Sequence, residues 1–133
     1  MQFSFEFGGE PQDLLITLSG SATPQDLRRM NADLISDPRY RTGLAILVDL
    51  SQLDASGFDD DGFRFATEPI AERDWEHPPL AIAILAPDQE TFDAARLYAA
   101  YLGGSASGRA VFRTRVDAIA WLRDQRGNSQ PEP

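Results

Sequence analysis

Few side chains in this sequence could do chemistry. It holds one histidine and no cysteine, and all twelve of its basic residues are arginine. The missing thiols remove disulfides, thiolate nucleophiles and zinc–thiolate sites together. The missing lysines exclude Schiff-base chemistry and a phosphate-gripping P-loop lysine. His77 is the obvious general base, since imidazole titrates near neutrality. It lies in Trp75-Glu76-His77-Pro78-Pro79 with no serine–histidine–acid motif around it. It is read as a surface residue, no catalytic residue is assigned, and an enzyme is not expected.

The acidic stretch Gly57-Phe58-Asp59-Asp60-Asp61-Gly62 nearly matches a calcium loop. With Gly62 at the obligatory glycine, Asp59, Asp61 and Glu68 take ligand positions, but the first ligand position falls on Gly57, which has no side chain. The cluster is better read as the acidic start of a helix, favoured by the helix dipole, and no metal is expected. Gly103-Gly104-Ser105-Ala106-Ser107-Gly108 follows a helix rather than a strand, so it reads as a terminating loop and not as a phosphate cradle. Ser56, in Asp54-Ala55-Ser56-Gly57, precedes a helix start whose free amides and dipole would stabilise a phosphate. Tyr98 and Tyr101, beside Arg96, could anchor a ligand or partner or simply pack on the sheet. The residues carried forward as a candidate ligand or partner surface are Asp54, Phe58, Trp75, His77, Tyr98 and Tyr101, with Ser56 as a candidate phosphorylation site.

These residues need a scaffold, and the composition supplies one. At 133 residues, with 42% hydrophobic and 25% charged side chains, the chain can build one core of ordinary size. A single domain over residues 1–126 is expected, with a flexible tail over 127–133. No apolar run approaches the roughly 18 residues of a membrane span. The start, Met1-Gln2-Phe3-Ser4-Phe5-Glu6-Phe7, lacks the features of a secretory signal, so a cytoplasmic location is expected. A net charge of −9 repels phosphates and anionic bilayers. It leaves a protein partner or plain solubility as its meaning, and no nucleic-acid partner is expected.

Period-two alternation of Phe3, Phe5 and Phe7, turn residues at 8–11, and the run Leu14–Leu18 predict an opening hairpin. Thr23, Pro24 and Asp26 then form a capping pattern ahead of Leu27, Met30, Leu34 and Ile35 at helical spacing, and Asp37-Pro38 closes that helix. Leu44–Leu50 and Pro79–Ala86 are near-continuous apolar runs, as expected of central strands covered on both faces. Between them Pro69 interrupts the segment 58–75, which is read as a short helix and then a loop. Asp88 caps a helix reaching about Leu102, Ala110–Phe112 forms a short last strand, and Thr114 with Asp117 caps a final helix. The resulting order is β-β-α-β-(α)-β-α-β-α, with strands joined by crossovers in a partly parallel sheet.

Three stretches together resemble the STAS superfamily, in its branch of small SpoIIAA-like (STAS/SEC14-like) bacterial proteins. They are Asp37–Leu44 leading into Ile46–Leu50, the strand, Ala-Pro and long-helix block from Leu80 to Leu102, and Val111–Thr114 leading into Asp117–Leu122. The likeness spans nearly the whole chain through largely structural motifs. It implies an α/β fold, a mixed sheet of about five strands with helices mainly on one face. It further implies a serine phosphorylated by a partner kinase in a D-S-S-G turn, matched here by Asp54-Ala55-Ser56-Gly57, with alanine at the first serine and three aspartates close by. A non-enzymatic regulatory or protein-interaction module follows, without cofactor, with a kinase or regulator as partner and a homodimer as a candidate assembly. The alternative is a carrier or sensor of a small apolar ligand or lipid held beneath the Phe58–Trp75 segment.

Overall fold

The computed structural model describes residues 1–104 and 108–129. The chain runs β1 (Gln2–Phe7), β2 (Leu14–Ser21), α1 (Pro24–Ser36), β3 (Ala45–Asp54), α2 (Asp60–Glu76), β4 (Ala81–Leu85), α3 (Gln89–Tyr101), β5 (Arg109–Phe112) and α4 (Arg115–Ser129). The five strands lie side by side in chain order. β1 and β2 form the antiparallel hairpin, and β2 through β5 are parallel. The mixed α/β sheet expected from the sequence is the one observed.

Strand order explains where the helices go. Each parallel step advances the sheet in one direction, so three right-handed crossovers stack α1, α2 and α3 on the same face. There they enclose the larger core, including Leu14, Ile16, Leu27, Leu34, Ile46 and Ile82. α4 follows the last strand, is bound by no crossover, and covers the opposite face with Ala118 and Leu122 against Ala45, Leu47 and Ala83. With both faces covered, Ala81–Leu85 is buried at every position, which is why these strands read as unbroken apolar runs.

The caps form where the sequence places them. Thr23 Oγ1 accepts from the Asp26 amide at 3.1 Å while the Asp26 carboxylate accepts from the Thr23 amide at 3.1 Å, a complete capping box. Asp88 accepts from the Thr91 amide, and Thr114 from the Asp117 amide.

The segment after β3 departs from expectation. In place of a short helix and a loop, α2 runs 17 residues with Pro69 inside it. Proline there removes the donor that would bond the Phe65 carbonyl. Arg28 of α1 supplies a substitute: its Nη1 donates to the Phe65 oxygen at 2.8 Å, and its guanidinium lies 4.2 Å from the centroid of the Phe65 ring. A tertiary contact thus satisfies the carbonyl that the proline leaves without its helical donor. At the other end of the chain, α4 continues through Ser129, so the start of the expected tail is helical. Residues 105–107 of the glycine-rich loop and 130–133 of the tail lie outside the described residues.

Candidate functional site

Between the sheet and α1–α3 lies a partly open cavity of about 80 Å³. Its floor comes from alternate residues of the parallel strands, Ile16 and Leu18 of β2, Ile46 and Val48 of β3, and Ile82 and Ile84 of β4. One irregularity extends that floor. Thr17 pairs with Asp49 but Ser19 pairs with Gln52, so β3 has one extra residue opposite Leu18. Such a bulge resets the side-chain alternation, and Leu50 and Leu53 both reach the cavity. The Asp49 carboxylate stabilises the bulge, accepting from the Ser51 amide at 2.9 Å and its hydroxyl at 2.6 Å. Thr91 Oγ1 donates to the Leu53 carbonyl at 3.3 Å, tying α3 to the end of β3. The roof comprises Leu27 and Met30 of α1, Phe58 and Phe63 at the start of α2, and Ala94, Ala95 and Tyr98 of α3.

Apart from Thr91, the lining is apolar except at one end, where two arginines meet. Arg73 of α2 is 6% exposed and Arg109 of β5 is 4% exposed. Both guanidiniums reach one carboxylate. Arg73 Nε and Nη2 each donate to Asp74 Oδ1 at 3.2 Å, and Arg109 Nη2 donates to Asp74 Oδ2. Arg73 Nη1 also donates to Oδ1 of buried Asn31 at 2.9 Å. A buried arginine is costly unless paired, and two here share a single counter-charge. The surrounding phenols feel the same cluster. Burial pushes the Tyr98 hydroxyl above its ordinary pKa even though Arg109 and Arg73 pull it down. Burial does the same to Tyr40, against the pull of Arg73.

The structure separates the residues singled out by sequence. Phe58 and Tyr98 line the cavity, and Tyr101 stacks on Phe63 beside it, with ring centroids 6.0 Å apart. Asp54 ends β3 at the opposite end of the cavity from the arginines, where its Oδ1 accepts from the Ser56 amide at 3.0 Å. That bond holds the Asp54 carboxyl below the usual carboxylate range. Ser56 is exposed in the turn between Ala55 and Phe58, both of which line the cavity. One amide of the first turn of α2 is already taken, since Asp59 accepts from Gly62 N at 2.7 Å.

Trp75 and His77 stand apart at the far end of α2. Trp75 is 87% exposed. His77 Nδ1 lies 3.5 Å from Thr42 Oγ1, and its ring meets Tyr40 edge-on. No carboxylate accompanies it among the described residues, so the arrangement lacks an acid to orient the imidazole. Among the same residues, no three histidine, aspartate or glutamate side chains gather in a way that would hold a metal ion.

Sequence reasoning missed Arg73, Asp74, Arg109 and Asn31. A signal was present: Phe63, Ala66, Ile70 and Arg73 follow one helical stripe and all are buried, so arginine occupies a core position of an otherwise apolar series. Arg109 likewise stands in register with Ile82, where an aliphatic residue would be ordinary.

No family model matches the sequence, and no curated protein matches it. A solved structure does resemble it. An uncharacterised protein of the DUF3478 family with a SpoIIAA-like fold, from Shewanella loihica PV-4, is 19% identical and superposes with a TM-score of 0.59, covering 91% of this chain and 92% of that one. Sheet order, crossover face and this superposition together give the chain a SpoIIAA-like fold.

Proposed function

We propose that the chain is a non-enzymatic binding module that holds a small apolar molecule between its sheet and α1–α3, as carrier or sensor. The cavity is the observation that supports this reading. Interiors are normally close-packed. A partly open space of about 80 Å³ beside the larger core leaves its aliphatic lining without close-packed neighbours, and an apolar occupant would supply them. A polar one would leave its own groups unpaired along most of the lining.

The reading is tested by following amide NMR shifts while titrating hexan-1-ol, a chain matched to the narrow volume. Saturable shifts in β3, α2 and α3 are expected. Ala94→Phe, which sets a ring into the cavity from the half-buried side of α3, should abolish them while the protein stays folded. Absence of saturable binding to the native chain would overturn the reading.

A regulatory role gains its support from the exposed turn at Ser56. Its neighbours Ala55 and Phe58 line the cavity, so a phosphate there, or a partner seated on the turn, would sense whether the cavity is filled.

A further inference from the structure

We infer that the cavity selects an apolar carboxylic acid, whose chain lies along the aliphatic floor and whose carboxylate meets Arg109 and Arg73. The inference rests on the ligand-binding reading above and adds the chemical class of the ligand.

Two guanidiniums, both more than nine-tenths buried, line the cavity, and they share the single carboxylate of Asp74. The charged side chains acting on Tyr98 and Tyr40 are these same three. One positive charge therefore remains uncompensated at that end. Arg109 donates to Asp74 from Nη2, and among the described residues no hydrogen bond leaves its Nε or Nη1. Guanidinium forks match carboxylate geometry, and an anion there would complete the pairing of a buried cation. The remainder of the lining from Ile82 and Ile46 along to Leu53 is apolar apart from Thr91, whose hydroxyl donates to the Leu53 carbonyl, which suits a hydrocarbon chain and offers a second charged group no counter-charge. Register fixes the orientation. Arg109 pairs with Ile82 near the start of the parallel strands, while Leu53 lies near the end of β3, so the carboxylate lies toward the start of the strands and the chain toward their ends.

The experiment titrates hexanoate and hexan-1-ol separately into the native protein at pH 7, read by amide and arginine Nε–H NMR shifts. Hexanoate is expected to bind at least about tenfold more tightly than the alcohol, as one charge-assisted hydrogen bond would give, with the Arg109 Nε–H signal moving. Arg109→Gln should weaken hexanoate by a much larger factor than hexan-1-ol, bringing the two to similar affinity. If that variant does not fold, Asp74→Asn decides. Removing the competing anion should tighten hexanoate severalfold without affecting hexan-1-ol, whereas equal effects on the two ligands overturn the inference. Equal binding of acid and alcohol to the native chain overturns the acid preference and leaves the apolar reading standing. Binding of neither overturns both.

Discussion

Asp37, at the C-terminal end of α1, shows how a few atoms set a pH response. Its Oδ1 accepts from the Arg39 amide at 2.9 Å and from Arg39 Nε at 3.0 Å, and its Oδ2 accepts from Arg39 Nη2 at 2.8 Å. These bonds lower its pKa from 3.8 to about 2. A carboxyl depressed in the folded state adds stability above its unfolded pKa and loses it as pH falls through the folded value. The contribution should therefore be complete above about pH 4 and fade toward pH 2. Urea denaturation at pH 5 and pH 2.5 checks this: Asp37→Asn should lose less stability between the two than the native chain does. An equal loss in both would show that the chelate contributes nothing to the folding equilibrium. Because the group is at the surface, salt should weaken the difference.

At the scale of the element, α2 is supported by its neighbour at its one break. Pro69 interrupts its hydrogen-bond ladder, and Arg28 restores the acceptor side of the break from α1. The two residues should therefore be energetically coupled. Arg28→Ala is expected to cost about 1 kcal/mol in the native background, as a lost hydrogen bond with partial desolvation does. In a Pro69→Ala background the cost should be smaller, because the new amide can bond the Phe65 carbonyl. A double-mutant cycle by chemical denaturation reads the coupling directly. Strict additivity would mean that the Arg28 contact merely accompanies the helix. The consequence reaches the cavity, since α2 carries both Phe63 on the roof and Arg73 at the charged end.

For the whole molecule, stability and occupancy are linked. A ligand that binds the folded state alone, at a hundred times its dissociation constant, adds about 2.7 kcal/mol. For a domain of this size that corresponds to a rise in melting temperature on the order of 10 °C. Thermal scans in increasing hexanoate should show this concentration dependence, and Ala94→Phe should remove it. A melting temperature unmoved by hexanoate at concentrations that saturate the NMR shifts would mean that the unfolded chain binds it equally well. The overall charge of −9 acts in the opposite sense to the cavity, repelling anions from the surface while the buried arginine pair attracts them. Selectivity for an acid therefore has to come from the interior, where effective dielectric is low and a surplus charge counts for more.

Local rules were enough for much of this architecture. The capping box at Thr23, the cap at Thr114, the alternation of Phe3, Phe5 and Phe7, and the apolar runs of β3 and β4 are written in contiguous residues, and these elements form where their own sequence places them. Chain order then sets the face of α1, α2 and α3, because parallel crossovers have one hand. Of the residues read in advance, Phe58 and Tyr98 reached the cavity, while Trp75 and His77 point elsewhere. Three features lay beyond local reading. The carbonyl freed by Pro69 inside α2 finds its donor in an arginine 41 positions earlier in the chain. The bulge that turns Leu53 inward depends on how β3 pairs with β2. The buried cluster joins Asn31, Arg73, Asp74 and Arg109 from α1, α2 and β5, which share no sequence neighbourhood. Secondary structure follows from short-range sterics and hydrogen bonding within a few residues. A cavity and the charge at its end are properties of surfaces that meet only once the chain has folded.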